Sequence, residues 1–253
     1  MSRKKPVILV TVYRRYFELS RTIERIHELH SEFSHRPDIV VLWAQPEPAR
    51  IWFFDQLLRE GKIETLLTRK QLPGETPTTA TSYAESHNLR IGLDFIRSKY
   101  DPATHYAICQ AADAYANPEQ CYQFIDGKIQ EGYEAVTLFW PNGCVHDDIW
   151  CTNMFAVPLD ETYWPPVSKI GDSDVLERQW GLLLKSRQPP SIFKNHNSNN
   201  KRFLHEHLSE HQEDWPRFAV EYGFSIPFFT SGYVPLWKRL FGWLSSRRSI
   251  FVT

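Results

Sequence analysis

The fold is decided by residues 7–23, which read VILVTVYRRYFELSRTI. The run from Val7 to Val12 is apolar and rich in β-branched side chains, as is typical of a strand covered on both faces. Apolar side chains then recur near helical spacing and predict an amphipathic helix; they are Leu19, Ile23, Ile26 and Phe33. A buried strand that leads directly into such a helix predicts the start of a βαβ unit.

The alternation of buried strand and amphipathic helix continues along the chain. Further strands are predicted at residues 39–43, 63–67, 105–111, 135–139 and 154–157. Helices are predicted at residues 51–58, 83–100, 118–131 and 174–184. This order favours right-handed βαβ crossovers, and therefore an α/β fold in which helices flank a mostly parallel sheet.

The sequence predicts one large α/β unit, residues 1–186, followed by a C-terminal appendage, residues 187–253. Residues 187–201 are polar and turn-prone and predict a loop, and residues 205–211 predict a helical stretch. The appendage is expected to pack on the same domain or to contact a membrane through residues 233–248, because this segment forms an apolar helical face flanked by cations. That face consists of Leu236, Trp237, Leu240, Phe241 and Leu244.

Composition narrows the functional class. The 253 residues carry a formal net charge of -1, which argues against wholesale binding of nucleic acid, since that usually leaves a basic imprint. The four cysteines form no Cys-x-x-Cys pair, so we expect them to be reduced, in a cytoplasmic protein. The apolar run near the N-terminus is short for a signal peptide, and no segment is long enough to span a membrane.

Ligands of open α/β sheets bind beyond the carboxyl ends of the strands. The first strand ends at Thr11, and Tyr13 and Arg15 follow, which together offer a hydroxyl, a ring for a base and a cation for phosphate. The chain has no Gly-x-Gly-x-x-Gly and no Walker A sequence, so it does not fit a dinucleotide fold or a P-loop. Asp113 follows the strand at 105–111, where its carboxylate could hold a divalent metal or cap a turn.

Four segments resemble the family-2-like glycosyltransferases of the GT-A fold, and they follow one another along the chain in the order found in that family. The first segment, VILVTVYRRYFELSRTI, is similar to the family's opening strand, turn and first helix, and the third, YAICQAADAYANPEQ, resembles its strand, Asp-x-Asp motif and Pro-started helix. SHNLRIGLDFI resembles the Arg-Asn-x-Gly-like helix before the metal motif, and GDSDVLERQWG resembles the later acidic motif. The resemblance covers roughly residues 6 to 185 and implies a Rossmann-like domain that binds a nucleotide-sugar.

The resemblance also implies roles for particular residues. Thr11, Tyr13, Arg15, Gln45, Asn88, Arg90 and Asp113 would bind the nucleotide-sugar donor. Asp174 would be the catalytic base, with Asp172 as the alternative, and would accept the acceptor's proton in an inverting direct displacement. The Asp-x-Asp motif is degenerate here, because it reads Ala111-Ala112-Asp113.

The cofactor implied by the resemblance is Mn²⁺ or Mg²⁺, held by Asp113 with His196 as a further candidate ligand. Without a metal, Arg15 and Arg90 could stabilise the leaving diphosphate instead. Asp147, Asp148 and Trp150 could bind a glycan or lipid-linked acceptor, since carboxylates bind sugar hydroxyls and a Trp ring stacks on a sugar. An exposed loop between strands, without a role in acceptor binding, is an equally good interpretation of these three residues.

Two other functional classes stay open on sequence alone. The degenerate Asp-x-Asp motif is compatible with a non-catalytic protein that binds carbohydrate or nucleotide on the same fold. A sugar-phosphate nucleotidyltransferase would be expected to have a glycine-rich, basic loop after the first strand, and the sequence there, TVYRRYF, has no glycine.

Overall fold

A computed structural model describes residues 3–28, 36–75, 82–112, 114–116, 118–137, 152, 154–170, 172, 175–185, 192–194 and 203–205. Its strands are β1 (Lys5–Val12), β2 (Asp38–Ala44), β3 (Thr65–Arg69), β4 (His105–Ala111), β5 (Ala114–Ala116), β6 (Ala135–Thr137), β7 (Met154–Pro158), β8 (Ile192–Lys194) and β9 (Phe203–His205). Its helices are α1 (Tyr16–Glu28), α2 (Ile51–Arg59), α3 (Ser82–Lys99), α4 (Pro118–Gln130) and α5 (Leu176–Lys185). Two 3₁₀ turns are also present, Pro48–Arg50 and Glu161–Tyr163.

Seven strands form the main sheet, in the order β3-β2-β1-β4-β7-β6-β8. Strands β1 to β4 run parallel to one another, and β6 pairs in parallel with β8. Strand β7 is antiparallel to both β4 and β6, so it is the one reversed strand of this described sheet. The mostly parallel α/β sheet predicted from sequence is therefore confirmed, and its carboxyl edge collects the ends of six strands.

Helices cover both faces of the sheet because the strands are apolar on both sides. One core lies under α1, α2 and α4 and receives Ile8, Val10 and Val12 from β1. The other core lies under α3 and α5 and receives Val7 and Leu9. This alternation along β1 is the period of two that a pleated strand imposes, and it makes β1 the centre of a three-layer structure.

Most predicted element positions agree with the structure to within a residue or two, and the two-residue shifts have local causes. Strand β3 begins at Thr65, because the N–H groups of Lys62 and Ile63 bond to Leu57 O and close the end of α2. Helix α5 begins at Leu176 rather than at residue 174, since Val175 O accepts the first helical bonds, from Arg178 and Gln179.

The region after residue 186 contains two described strands that the sequence did not indicate. Strand β8 lies inside the predicted loop 187–201 and pairs with β6. His205, predicted to start a helical stretch, instead ends strand β9 and pairs with Ala114 of β5. Both strands of the appendage thus pair with strands of the first 186 residues. The predicted membrane-contact segment 233–248 lies outside the described residues.

None of the helices in the described ranges combines the length and the apolar character needed to cross a membrane.

Helix α3 approaches β1 closely at Gly92, where a Cβ atom would overlap both δ carbons of Leu9. Gly127 in α4 has open space at the same position. Replacing either glycine by alanine stabilises its helix by about 1 kcal/mol. The difference in unfolding free energy between the two variants therefore reports the overlap with Leu9 alone. We expect Gly92→Ala to be less stable than Gly127→Ala by about 1–3 kcal/mol in urea unfolding, the usual cost of overpacking a core. Equal stabilities would contradict the close contact of α3 with β1.

Candidate functional site

A connected set of polar side chains lies at the carboxyl edge of the sheet, on the α3 side. Thr11, Gln45 and Arg69 stand at or just after the ends of β1, β2 and β3. Because neighbouring parallel strands end at one edge, the fold brings together residues that are up to 58 positions apart in sequence. The first turns of α3 contribute the partners of these side chains.

The centre of this set is a buried ion pair between Arg69 and Glu75. Two guanidinium nitrogens donate to the two carboxylate oxygens of Glu75, at 2.8 and 3.0 Å. Leu72 N–H donates to the same carboxylate at 2.7 Å. Burial alone would raise the pKa of Glu75, but the bonds from Arg69, Leu72 and Gln45 outweigh it and hold the pKa below its usual value. The carboxylate is therefore ionised at neutral pH, although the residue is only 4% exposed.

From Arg69 the network continues to β1. The Nε of Arg69 donates to Asn88 Oδ1 at 2.6 Å, and Asn88 Nδ2 donates to Glu85 Oε2 at 3.4 Å. The hydroxyl of Thr11 donates to Glu85 Oε1 at 3.0 Å. Thr11 and Asn88, both predicted to bind the donor, are thus buried members of one network that spans the ends of β1 and β3.

Gln45, the predicted partner of the nucleotide base, is held in place by the same ion pair. Its backbone has a φ of 51°, a left-handed conformation that is uncommon for any residue except glycine. Its N–H donates to Arg69 O at 2.6 Å, and its side chain contributes to lowering the pKa of Glu75. The turn after β2 is therefore fixed against the loop that follows β3.

The turn after β1 holds Tyr13 and Arg15, both half-buried. Arg14 also adopts a left-handed φ, 54°, and its Nε lies 2.9 Å from a carboxylate oxygen of Glu47, an ion pair without hydrogen-bond geometry. Tyr16 donates to the other oxygen of Glu47 at 3.0 Å. Burial, and then the negative charge of Glu47, raise the pKa of Tyr16, so the phenol stays protonated and keeps donating. Glu47 thus joins the turns after β1 and β2.

Asp113, the remaining member of the degenerate motif, lies outside the described residues, but the residue before it is anchored. Ala112 N–H donates to Thr11 O at 2.9 Å. Thr22 in α1 donates its hydroxyl to Ala112 O at 3.2 Å. The backbone that enters Asp113 is therefore held beside Thr11, at the end of β1.

The loop before α5 carries the candidate bases, and it is tied to the same edge. Ser168 N–H bonds to Ser86 Oγ at 3.0 Å, and Leu176 N–H bonds to Ser82 Oγ at 3.1 Å. Ser82 and Ser86 lie one turn apart at the start of α3. Asp172 is exposed, and its carboxylate accepts from Lys169 N–H at 2.6 Å. Asp174 lies outside the described residues, two positions before the anchored Leu176.

The structure does not bring Arg90 to this edge. Its guanidinium lies 3.3 Å from Glu161 and 5.3 Å from the ring centre of Trp164. Glu161 follows β7, and because β7 is antiparallel to β4, the end of β7 lies beside the start of β4. Arg90 therefore points toward the amino edge, apart from Thr11, Gln45 and Asn88, which were predicted to share the donor site with it. Asp147, Asp148, Trp150 and His196 lie outside the described residues.

Sequence reasoning missed three residues of the network: Arg69, Glu75 and Glu85. Arg69 would have been found by extending the third strand by two residues and inspecting its end. Glu75 lies in a stretch that the sequence indicates only as a loop, and no local pattern pairs it with Arg69. Across the part of the chain that the structure describes, His, Cys, Asp and Glu side chains nowhere gather in a group of three that could hold a metal ion.

Comparison with known proteins identifies this architecture. No family model and no curated protein matches the sequence. Among solved structures, a mannosyltransferase from Pyrobaculum calidifontis in complex with GDP-Man and Mn²⁺ has a TM-score of 0.50 and 12% identity, covering 86% of this chain and 65% of that chain. A mutant Drosophila β1,4-galactosyltransferase 7 in complex with manganese, UDP-Gal and xylobiose has a TM-score of 0.51 and 13% identity, covering 83% of this chain and 74% of that chain. At these identities the likeness establishes the fold, which is GT-A.

The Arg69–Glu75 pair is predicted to carry much of the stability of this edge. Replacing Glu75 by glutamine leaves a buried guanidinium without its counter-charge, which typically costs about 3–5 kcal/mol in unfolding free energy. The matched control is Glu60→Gln, because Glu60 forms an exposed pair with Lys62 at 2.8 Å and solvent screens that pair. Urea unfolding at pH 7 should show a large loss for the first variant and little change for the second.

The pH dependence of the same pair has a defined sign. The folded-state pKa of Glu75 lies below its ordinary value of 4.5, so the stabilisation is complete above that value and is lost as the pH falls through the folded-state pKa. The unfolding free energy of the wild type should therefore fall more steeply below about pH 4.5 than that of Glu75→Gln. Parallel curves for the two proteins would contradict the assigned ion pair.

Proposed function

We propose that this protein is a glycosyltransferase that transfers a sugar from a nucleotide-sugar to a hydroxyl group of an acceptor. The observation that carries the proposal is a GT-A fold whose carboxyl edge gathers Thr11, Gln45, Asn88 and the backbone leading into Asp113. Open α/β sheets bind ligands at this edge, and both compared structures contain a nucleotide-sugar and manganese. The transfer would leave a nucleoside diphosphate as the second product.

The donor would lie across the ends of β1, β2 and β4. Tyr13 and Gln45 would contact the nucleotide base, since the turns that carry them are joined through Glu47 and Arg69. Arg15 and Asp113 would face the diphosphate. Thr11 and Asn88 would bind the donor at the same position, and their bonds to Glu85 hold them in place.

The leaving diphosphate needs positive charge nearby, and apart from Arg15, which lies 3.9 Å from Glu18, the described residues at this edge do not provide a surplus. Arg69 is neutralised by Glu75, and Arg90 is engaged by Glu161 away from the edge. Oxygen donors are the ligands that Mn²⁺ and Mg²⁺ prefer, and Glu85 shows that the end of β1 accommodates a carboxylate. Asp113 would hold the metal, with His196 as a candidate further ligand, and the metal when bound would neutralise charge on the diphosphate.

Asp174 would act as the general base and Asp172 as its alternative. A base must lie within hydrogen-bond reach of the acceptor hydroxyl. The anchors at Ser82 and Ser86 keep their loop at the donor edge. Direct displacement from this side would invert the configuration at the anomeric carbon.

The acceptor would be a glycan or a lipid-linked saccharide, contacted by Asp147, Asp148 and Trp150. Contact with a membrane through residues 233–248, a cytoplasmic location and a place in polysaccharide biosynthesis belong to the same proposal. The single aspartate of the degenerate motif favours one alternative, a non-catalytic protein that binds nucleotide-sugar without turnover.

Donor binding is tested by thermal unfolding with UDP-, GDP-, CMP- and dTDP-sugars, each with and without Mn²⁺. A donor at about a hundred to a thousand times its dissociation constant should stabilise the protein by about 2–4 kcal/mol. We expect stabilisation by one nucleotide class, enhanced by Mn²⁺, and loss of the enhancement in Asp113→Asn. Absence of stabilisation by all four classes would contradict the proposal.

Base catalysis is tested by kinetics of Asp174→Asn and Asp172→Asn. Loss of a general base should lower kcat by about 10²–10⁴-fold and leave donor binding unchanged, because the base contacts the acceptor. We expect this loss in Asp174→Asn and a smaller effect in Asp172→Asn, whose carboxylate also shapes the loop through Lys169. Full activity in both variants would exclude a base in this loop.

A further inference from the structure

The degenerate Asp-x-Asp motif leaves an alanine, Ala111, at the end of β4, where the resemblance implies a carboxylate. Strands β1 and β4 are neighbours, and Ala111 is the register partner of Thr11. Neighbouring strands lie about 4.8 Å apart, so a carboxylate beside Thr11 can serve the region that an aspartate at position 111 would serve. The structure has such a carboxylate, on a different element.

This carboxylate belongs to Glu85, in the first turn of α3. Its Oε1 accepts a hydrogen bond from the hydroxyl of Thr11 at 3.0 Å. The carbonyl oxygen of the same Thr11 accepts the N–H of Ala112 at 2.9 Å. Thr11 therefore connects Glu85 to the end of β4, with its side chain on one side and its backbone on the other.

The charge of Glu85 also acts on β4 itself. Cys109 lies in β4, two residues before Ala111, and is fully buried. Burial, and next the negative charge of Glu85, raise the pKa of the Cys109 thiol well above its usual value. The carboxylate of Glu85 is thus close enough to β4 to influence a group inside that strand.

A carboxylate in this position suits a divalent ion that is shared with a diphosphate. Mg²⁺ is typically bound by one or two carboxylates together with substrate phosphates, and Mn²⁺ prefers the same oxygen ligands. An ionised carboxylate has about four lone-pair sites, so the bonds that Glu85 accepts from Thr11 and Asn88 are compatible with coordination of a metal. These two bonds would orient the carboxylate, as hydrogen-bonded neighbours of metal ligands commonly do.

We propose that Glu85 supplies, from helix α3, the metal-binding carboxylate that the motif lacks at Ala111. This inference rests on the proposed function and adds a ligand to the metal site suggested there. A helix rather than a strand provides the carboxylate, at the shared end of β1 and β4. Glu85 would share the ion with the diphosphate of the donor.

The test measures the affinity of the full chain for UDP, GDP, CDP and dTDP, each with and without Mn²⁺, by isothermal titration. For the nucleoside diphosphate that binds most tightly, the ratio of the two dissociation constants gives the contribution of the metal. Glu85→Gln should reduce this ratio at least about tenfold, since even the loss of a group that orients a metal ligand costs about 10–100-fold in metal affinity. Without Mn²⁺ the same variant should bind at least as tightly as the wild type, because a negative charge near the diphosphate is removed.

Two further variants separate metal binding from a structural role. Ala111→Asp returns a carboxylate to β4, so adding it to Glu85→Gln should recover most of the effect of Mn²⁺. Asp38→Asn is the matched control and should leave the ratio unchanged. Asp38 is also a half-buried carboxylate that accepts a hydroxyl, from Tyr100 at 2.7 Å, but it lies at the start of β2, at the opposite edge of the sheet.

Three outcomes would overturn the inference alone: an unchanged ratio in Glu85→Gln, equal weakening of this variant's binding with and without Mn²⁺, or no recovery when Ala111→Asp is added. Equal weakening would assign Glu85 a purely structural role. Absence of binding of all four nucleoside diphosphates by the wild type would instead overturn the glycosyltransferase proposal, and the inference with it.

Discussion

The buried pair of Arg69 and Glu75 is the interaction on which the carboxyl edge depends. Arg69 ends the outermost parallel strand, and its guanidinium reaches Glu75, Asn88 and the carbonyl of Lys70. Its own carbonyl receives the N–H of Gln45. A charge buried this deeply is tolerated only when it is paired and hydrogen-bonded, and these bonds join the turn after β2, the loop after β3 and helix α3.

The helices on the two faces of the sheet hold different loops of the carboxyl edge in place. Helices α1 and α2 lie on one face, where Glu47 connects the turns after β1 and β2. Helix α3 lies on the other face and supplies Glu85 and Asn88 to the network and Ser82 and Ser86 to the loop before α5. The polar network and the loop before α5 therefore meet at the first turns of α3. A substitution at the start of α3 would therefore alter both the network and the loop before α5.

The sequence predicts the architecture well because the strands are apolar on both faces and the helices have a clear apolar stripe. It also indicates that Thr11 and Gln45 stand where strands end, since the end of a parallel strand is visible in its pattern. The direction in which Arg90 points was not visible in the sequence, because the position of a side chain around a helix depends on what that helix packs against. Glu161, its partner, is 71 residues away and belongs to the one reversed strand of the described sheet.

The residues and strands that the sequence did not indicate also depend on partners that are distant in sequence. Nothing near Glu75 in the sequence distinguishes a buried, ion-paired carboxylate from a solvated loop residue. Strands β8 and β9 have three residues each and obtain their stability from pairing with distant strands, so their local sequence carries little signal. Pairing between residues that are distant in sequence, whether of charges or of strands, therefore could not be predicted from local sequence patterns.

The central claim is that a nucleotide-sugar lies across the carboxyl ends of β1, β2 and β4. Hydrogen–deuterium exchange with and without a saturating nucleotide-sugar and Mn²⁺ tests it most directly. The account predicts slower exchange in the turn at Tyr13 to Arg15, at Gln45, and in the segment that follows Ala112. Protection confined to the opposite edge, where Arg90 meets Glu161, or no protection by any nucleotide-sugar, would contradict it.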